Sequence, residues 1–112
     1  MSEARLAAGI EASALIRVAE AQGGFGAVLH KGDTERGALL IVVLERGEVR
    51  AMLARQFDGL RYAWTTLPID CADSPATRLF LEKRARNDPD EWQIELDTPS
   101  AQRLVAEMTA AG

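Results

Sequence analysis

His30 and Cys71 are the only imidazole and the only thiol in this chain of 112 residues, and nucleophilic catalysis requires a base beside its nucleophile. A serine or cysteine is weak until its proton is taken. His30 could serve Cys71, Ser13, Ser74 or Ser100. Ser74, however, stands directly before Pro75, where a hydroxyl caps a helix, and Cys71 lies among Ile69, Asp70 and Ala72 with no base to lower its pKa. Acid–base work near neutral pH needs a group poised there, and only His30 qualifies without a large shift. No catalytic residue is assigned.

Metal and phosphate chemistry are equally sparse. Zinc wants several His or Cys ligands, and the chain has two such residues in all. Asp88, Asp90 and Glu91, or Asp70 and Asp73, offer oxygens to magnesium or calcium, without the full spacing of a calcium loop. Asp88-Pro89-Asp90 is also a natural turn, with proline fixing φ and aspartate binding local N–H groups. No metal and no cofactor is assigned, and a magnesium-dependent enzyme using Asp88 and Asp90 stands as one alternative. Gly23-Gly24-Phe25-Gly26 follows a helix instead of preceding one, so the nearby dipole end is negative and repels phosphate. Lys31-Gly32-Asp33 likewise lacks the phosphate-loop spacing.

Binding is better provided for than reaction. Aromatic residues make up only 5% of the chain, yet Trp64 and Trp92 fall on elements expected to be neighbours. With Arg50, Arg61 and Arg84 at the rim, and Asp88 and Asp90 adjacent, they form the ligand-binding set expected for a peptide or small anionic ligand. Arg78, Lys83, Arg84 and Arg86 form the densest basic cluster. It supports a second alternative, a nucleic-acid-associated protein using that helix, although cations in a last turn also complement the helix dipole and Glu82 can pair with Arg78 or Arg86.

The net charge of −4 disfavours broad capture of nucleic acid or an anionic membrane. Apolar residues at 47% and charged residues at 27% describe a globular chain whose length suits one domain over 1–112. No apolar run approaches the roughly 20 residues that span a bilayer. Met1-Ser2-Glu3-Ala4-Arg5 lacks the pattern of a secretory signal. A single cysteine excludes an internal disulfide, so a cytoplasmic location is expected. Arginine supplies eleven of the thirteen basic residues, which suggests a GC-rich genome.

The elements that must position these residues follow from periodicity. Ala7 to Gln22 reads as a helix with Ser13, Arg17 and Glu20 on a narrow polar stripe, opposite Ala8, Ala12, Leu15, Ile16 and Ala19, and thus buried around most of its circumference. Gly23-Gly24 closes it. Strand-like runs follow at Phe25–Lys31, Ala38–Leu44, Val49–Arg55 and Arg61–Leu67, with Arg46-Gly47-Glu48 and Asp58-Gly59 among the turns. Short links predict an antiparallel four-stranded meander, its apolar second strand covered on both faces. A second helix starts at Asp73-Ser74-Pro75, capped by Ser74, with Ala76, Leu79 and Phe80 inward and Arg78, Glu82 and Arg86 as an exposed ladder. Trp92, Ile94 and Leu96 alternate with Gln93, Glu95 and Asp97 as a half-buried fifth strand. Thr98-Pro99 opens a third helix with Ala101, Leu104, Val105 and Met108 on one stripe. The predicted fold is α+β, order α-ββββ-α-β-α: a meander plus a fifth strand, packed by three helices.

Several of these residues also carry a family pattern. Arg5-Leu6, Ala14-Leu15-Ile16-Arg17, Glu20-Ala21 with Gly24-Phe25, Lys31-Gly32-Asp33, Gly37-Ala38, Trp64, Arg84, Asp88-Pro89-Asp90-x-Trp92 and Ile94-Glu95 resemble the small alphaproteobacterial proteins grouped as domain of unknown function 1491. The resemblance covers roughly Arg5 to Asp97, and its most specific part is the Asp-Pro-Asp-x-Trp run. It implies a bacterial cytoplasmic origin and names no catalytic residue. The third helix least resembles the family pattern. The expected function is therefore a non-enzymatic binding or interaction module for a protein or small anionic ligand, with no membrane partner and with self-association admitted.

Overall fold

Leu39 through Leu44 are all buried, and a strand apolar on both faces must be central, flanked on both edges and covered above and below. The computed structural model describes residues 7–57 and 59–109. Met1–Leu6, which includes the start read above, and Asp58 of the Asp58-Gly59 turn lie outside the described residues. The elements are α1 (Ala8–Ala21), β1 (Phe25–His30), β2 (Leu39–Glu45), β3 (Glu48–Phe57), β4 (Tyr62–Thr66), α2 (Ser74–Asn87), β5 (Trp92–Asp97) and α3 (Ala101–Thr109).

The fold class and element order are those expected, but the sheet is not a pure meander. Its strand order is β1-β5-β2-β3-β4. β2, β3 and β4 pair antiparallel in sequence, whereas β5 inserts between β1 and β2, antiparallel to β1 and parallel to β2. The physical reason lies in two sequences. β1 carries Gly26 and leaves Phe25, Val28 and Leu29 exposed, which suits an edge. β5 buries Trp92, Gln93, Ile94 and Leu96, which suits an interior strand. The segment 31–38 is long enough to step past β5, about 10 Å from β1 to β2, while β2 and β3 are joined by a tight turn. Arg46 and Gly47 take φ of 54° and 84° there, the left-handed pair that suits the strand twist.

Alternate residues of β2 feed two cores. Leu39, Ile41 and Val43 pack with Leu53, Trp92, Ile94 and Leu96 under α1 and α3. Leu40, Val42 and Leu44 pack with Met52, Ala54 and Leu67 on the face where Phe80 and Leu81 of α2 lie. β4 and β5 therefore run the same way, linked across the sheet by α2.

The helices depart from expectation in detail. α1 buries one face only, through Ala8, Glu11, Ala12, Leu15 and Ala19, while Ile10 is 57% exposed, because the sheet offers it a single surface. Its end is as expected: Gly23 has φ 85°, and the N–H groups of Gly23 and Gly24 bond the carbonyls of Glu20 and Ala19. The α2 cap is Asp73, whose carboxylate accepts from the Ala76 N–H at 3.0 Å; Ser74 is already helical. Ala76 and Leu79 do not face inward, and Leu79 is 60% exposed. The inner face instead carries Thr77, Phe80, Leu81 and Arg84, at i, i+3, i+4 and i+7. α3 begins at Ala101, with Pro99 in the preceding turn and Ser100 at φ 75°. Ala101, Leu104 and Val105 are buried as expected; the Met108 side chain lies outside the description. No helix among the described residues is long and apolar enough to cross a membrane.

Candidate ligand groove beneath the second helix

The face of β5 under α2 carries Gln93 and Glu95 instead of apolar residues, so α2 meets it through a polar contact and not through an apolar seam. The helix rests on β2 and β3 through Phe80 and Leu81, and Thr77 is its single buried residue. A groove of about 570 Å³ is left between helix and sheet. Its helix wall is formed by Thr77, Arg78, Leu81, Glu82 and Ala85, and its floor by Leu29, His30, Gln93 and Glu95; Val49, Cys71 and Ser74 close the far end. One polar tether crosses it: Gln93 Nε2 donates to the Leu81 carbonyl at 2.9 Å.

His30 and Cys71 both line this groove. A carbonyl can only accept, so His30 Nε2 carries its proton toward the Pro89 oxygen, 3.1 Å away. Burial, and then the neighbouring Asp70 charge, push the Cys71 thiol up from its ordinary value, away from the thiolate that attacks. The thiol points to the Ile69 carbonyl at 3.8 Å.

Beside the groove, at the start of β5, the segments 31–38 and 88–92 lock together. Trp92 Nε1 donates to the Asp33 carbonyl at 2.7 Å, the Trp92 N–H to the Ala38 carbonyl and the Asp33 N–H to the Asp90 carbonyl. Gly32 and Gly37 both crowd that same Asp90 oxygen, so close that a Cβ at either would collide with it. The N–H groups of Ala8 and Gly9 bond the Glu35 and Thr34 carbonyls, seating the start of α1 here. The Asp33 carboxylate accepts from the Glu35 and Arg36 N–H groups. Those bonds, that to Arg36 first, hold the Asp33 carboxyl below its ordinary pKa.

The comparisons with known proteins bear on this arrangement. The family described as "Protein of unknown function (DUF1491)" matches residues 6–106. The chain belongs to that family. Its fold is similar to the crystal structure of a DUF1491 family protein from Caulobacter crescentus CB15, with 29% identity over 90% of this chain and 93% of that one, and a TM-score of 0.74. An NMR structure of a DUF1491 protein from the same organism gives 30% identity, 91% and 94% coverage and a TM-score of 0.76. The solution structure of Atu0922 from A. tumefaciens gives 26%, 86% and 88%, and 0.69. Both organisms are alphaproteobacteria. No curated protein matches the chain. In this DUF1491 protein, Lys31-Gly32-Asp33, Gly37-Ala38 and Asp88-Pro89-Asp90-x-Trp92 are the segments that interlock at the start of β5.

The seven residues expected to bind ligand are only partly brought together. Arg84 and Asp88 meet, with Phe80, Lys83 and Asn87, around a recess of about 450 Å³. Arg84 is held there by Glu91, through bonds of 2.8 and 3.0 Å, and that partner raises its guanidinium further above the ordinary value. Asp90 lies in the adjoining turn with its carbonyl engaged by the Asp33 N–H. Trp92 is buried. Trp64 packs on the same core but on β4, three strand positions or about 14 Å from β5, so the tryptophans do not stand side by side. Arg50 is exposed on β3 with Glu45 and Glu48 at 3.2 and 3.3 Å, and Arg61 is exposed just before β4. Among the described residues no three His, Cys, Asp or Glu side chains gather as a metal site.

Sequence reasoning alone does not single out Glu11 or Gln93, names Glu95 only within the family pattern, and reads Glu91 only as a possible cation ligand. Glu11 interrupts the apolar stripe of α1, which is a legible signal for a buried partner. Gln93 and Glu95 read as a solvent face, because nothing local shows that α2 crosses over them.

Proposed function

We propose that this chain is a non-enzymatic binding module, acting as one domain, and that its ligand enters the groove between α2 and the sheet. The supporting observation is the gap itself. About 570 Å³ falls within the roughly 300–1,000 Å³ of ligand-sized pockets, and its lining mixes aliphatic side chains with polar ones. The raised Cys71 thiol counts against its use as a nucleophile. A cytoplasmic location fits the lone cysteine.

The test is an NMR titration of the isotope-labelled chain with a library of small organic fragments. Hits should move the amides of Thr77, Leu81, Ala85, Gln93 and Glu95 first, and Ala85→Trp should abolish them while the remaining spectrum is kept. Hits that all map elsewhere contradict the proposal.

A second reading, the small anionic ligand, has its own support in Lys83 and Arg84 beside the Phe80 recess. Inorganic phosphate moving Lys83 and Asn87 amides, and not those of the groove, would favour it. The same cations with Arg78 and Arg86 would serve the nucleic-acid reading, which requires affinity for a duplex to fall steeply with salt; a flat response removes it. Self-association is proposed at the β1 edge, where Phe25, Val28 and Leu29 are exposed, and a sedimenting mass of one chain would remove that.

A further inference from the structure

Among the described residues, the part-buried acids are each answered by a donor, with one exception. Glu11 has Arg55, Glu91 has Arg84, and Asp97 accepts the N–H groups of Arg46 and Gly47. Glu95, half-buried on the groove floor, has neither a cation nor a hydrogen-bond donor among the described residues. Two positions earlier on the same face, Gln93 is 4% exposed. One of its Nε2 N–H groups donates to the Leu81 carbonyl, which settles the orientation of the amide. Gln93 Oε1 is then an acceptor with no partner among the described residues. Buried acceptors are nearly always satisfied in native proteins, so this floor presents unfilled acceptors about 7 Å apart along the strand.

We propose that the groove takes a ligand bearing a protonated aliphatic amine or guanidine, its cation on the Glu95 carboxylate and a second donor on Gln93 Oε1. This rests on the groove reading above and names its ligand class. Leu29, Val49, Leu81 and Ala85 supply the apolar surface that a methylene stem needs. The other charges facing the groove do not answer Glu95. Arg78, on an exposed position of α2, makes no ion pair with Glu95 among the described residues, and His30 directs its Nε2 proton to Pro89. A single alkyl cation removed from water complements the unpaired Glu95 carboxylate and the open Gln93 Oε1.

The test titrates the labelled full chain with agmatine and cadaverine as free cations, with the capped peptides acetyl-Gly-Arg-Gly-amide and acetyl-Gly-Lys-Gly-amide, and with pentanoate and pentanol. The cations are expected to move the Leu81, Gln93 and Glu95 amides saturably. Glu95→Gln, which keeps the side-chain shape, should weaken them about tenfold, Gln93→Leu should weaken them too, and Glu20→Gln, exposed on α1 across the sheet, should leave them within about twofold. Tighter binding of the capped peptides than of the free cations assigns the cation to a protein segment, and the reverse to a metabolite. Pentanoate or pentanol moving the groove amides while the cations do not would overturn the ligand class and leave the groove standing. No probe moving them would overturn both, and the wild-type titration alone delivers that result should a variant fail to fold.

Discussion

Arg55 grips Glu11 with both arms of its guanidinium, at 2.9 and 2.8 Å, and both side chains are more than nine-tenths buried. Arg55 also lies over the ring of Trp64, 5.0 Å from its centre, and is the cross-strand neighbour of Trp64 in the β3–β4 register. The pair therefore ties α1 to the far half of the sheet.

Such a pair gains little over an apolar substitute, but half of it is costly, because the remaining charge is stranded in low dielectric. Glu11→Ala or Arg55→Ala should lower the unfolding free energy by about 3–5 kcal/mol, while Glu11→Leu with Arg55→Met should recover most of it. Urea unfolding of the two single variants and the double reads this. Equal losses in single and double variants would contradict it.

The glycines of 31–38 are predicted to be less replaceable than a glycine that only needs a positive φ. Gly23, at φ 85°, has open space where a Cβ would stand, with nothing within 4 Å of that point, so Gly23→Ala should cost about 1 kcal/mol of backbone strain. Gly37→Ala meets the Asp90 oxygen, the Asp33 oxygen and the Trp92 ring, and should cost about 2 kcal/mol or more. At about 4 °C or more per kcal/mol, thermal melts separate the two. The reverse order would mean that the interlock is loose.

Much of this fold is legible locally. A continuous apolar run marks β2, alternation marks β5, and Gly23-Gly24 marks the end of α1. Strand order is not local: β1 reads as a strand, and only its exposed Phe25, Val28 and Leu29 against the buried β5 reveal which of them lies beside β2. The same crossover hides the groove, since Gln93 and Glu95 look solvent-facing until α2 is placed above them. Trp92 and Arg84 stand out in the sequence and do meet other segments. Their partners, the Asp33 carbonyl and Glu91, come from pairings that leave only a weak pattern in the chain.

Asp33 carries a pH prediction. Its carboxyl is held below the ordinary value by the Arg36 and Glu35 N–H groups, so the folded state favours the ionised form. That contribution is present above about pH 4, the ordinary carboxylate value, and drains away as pH falls through the lower folded value. Asp33→Ala should therefore lower Tm at pH 7, and its difference from the native chain should shrink as the pH is taken toward 2. A difference independent of pH would mean the Asp33 charge does not matter to the fold.

The central claim, that an alkyl cation lies along the groove floor, is tested most directly by intermolecular NOEs to bound cadaverine. The account predicts NOEs from its methylenes to the side chains of Leu29, Leu81 and Ala85. NOEs only to Phe80 and Lys83, or none at saturating cadaverine, would contradict it.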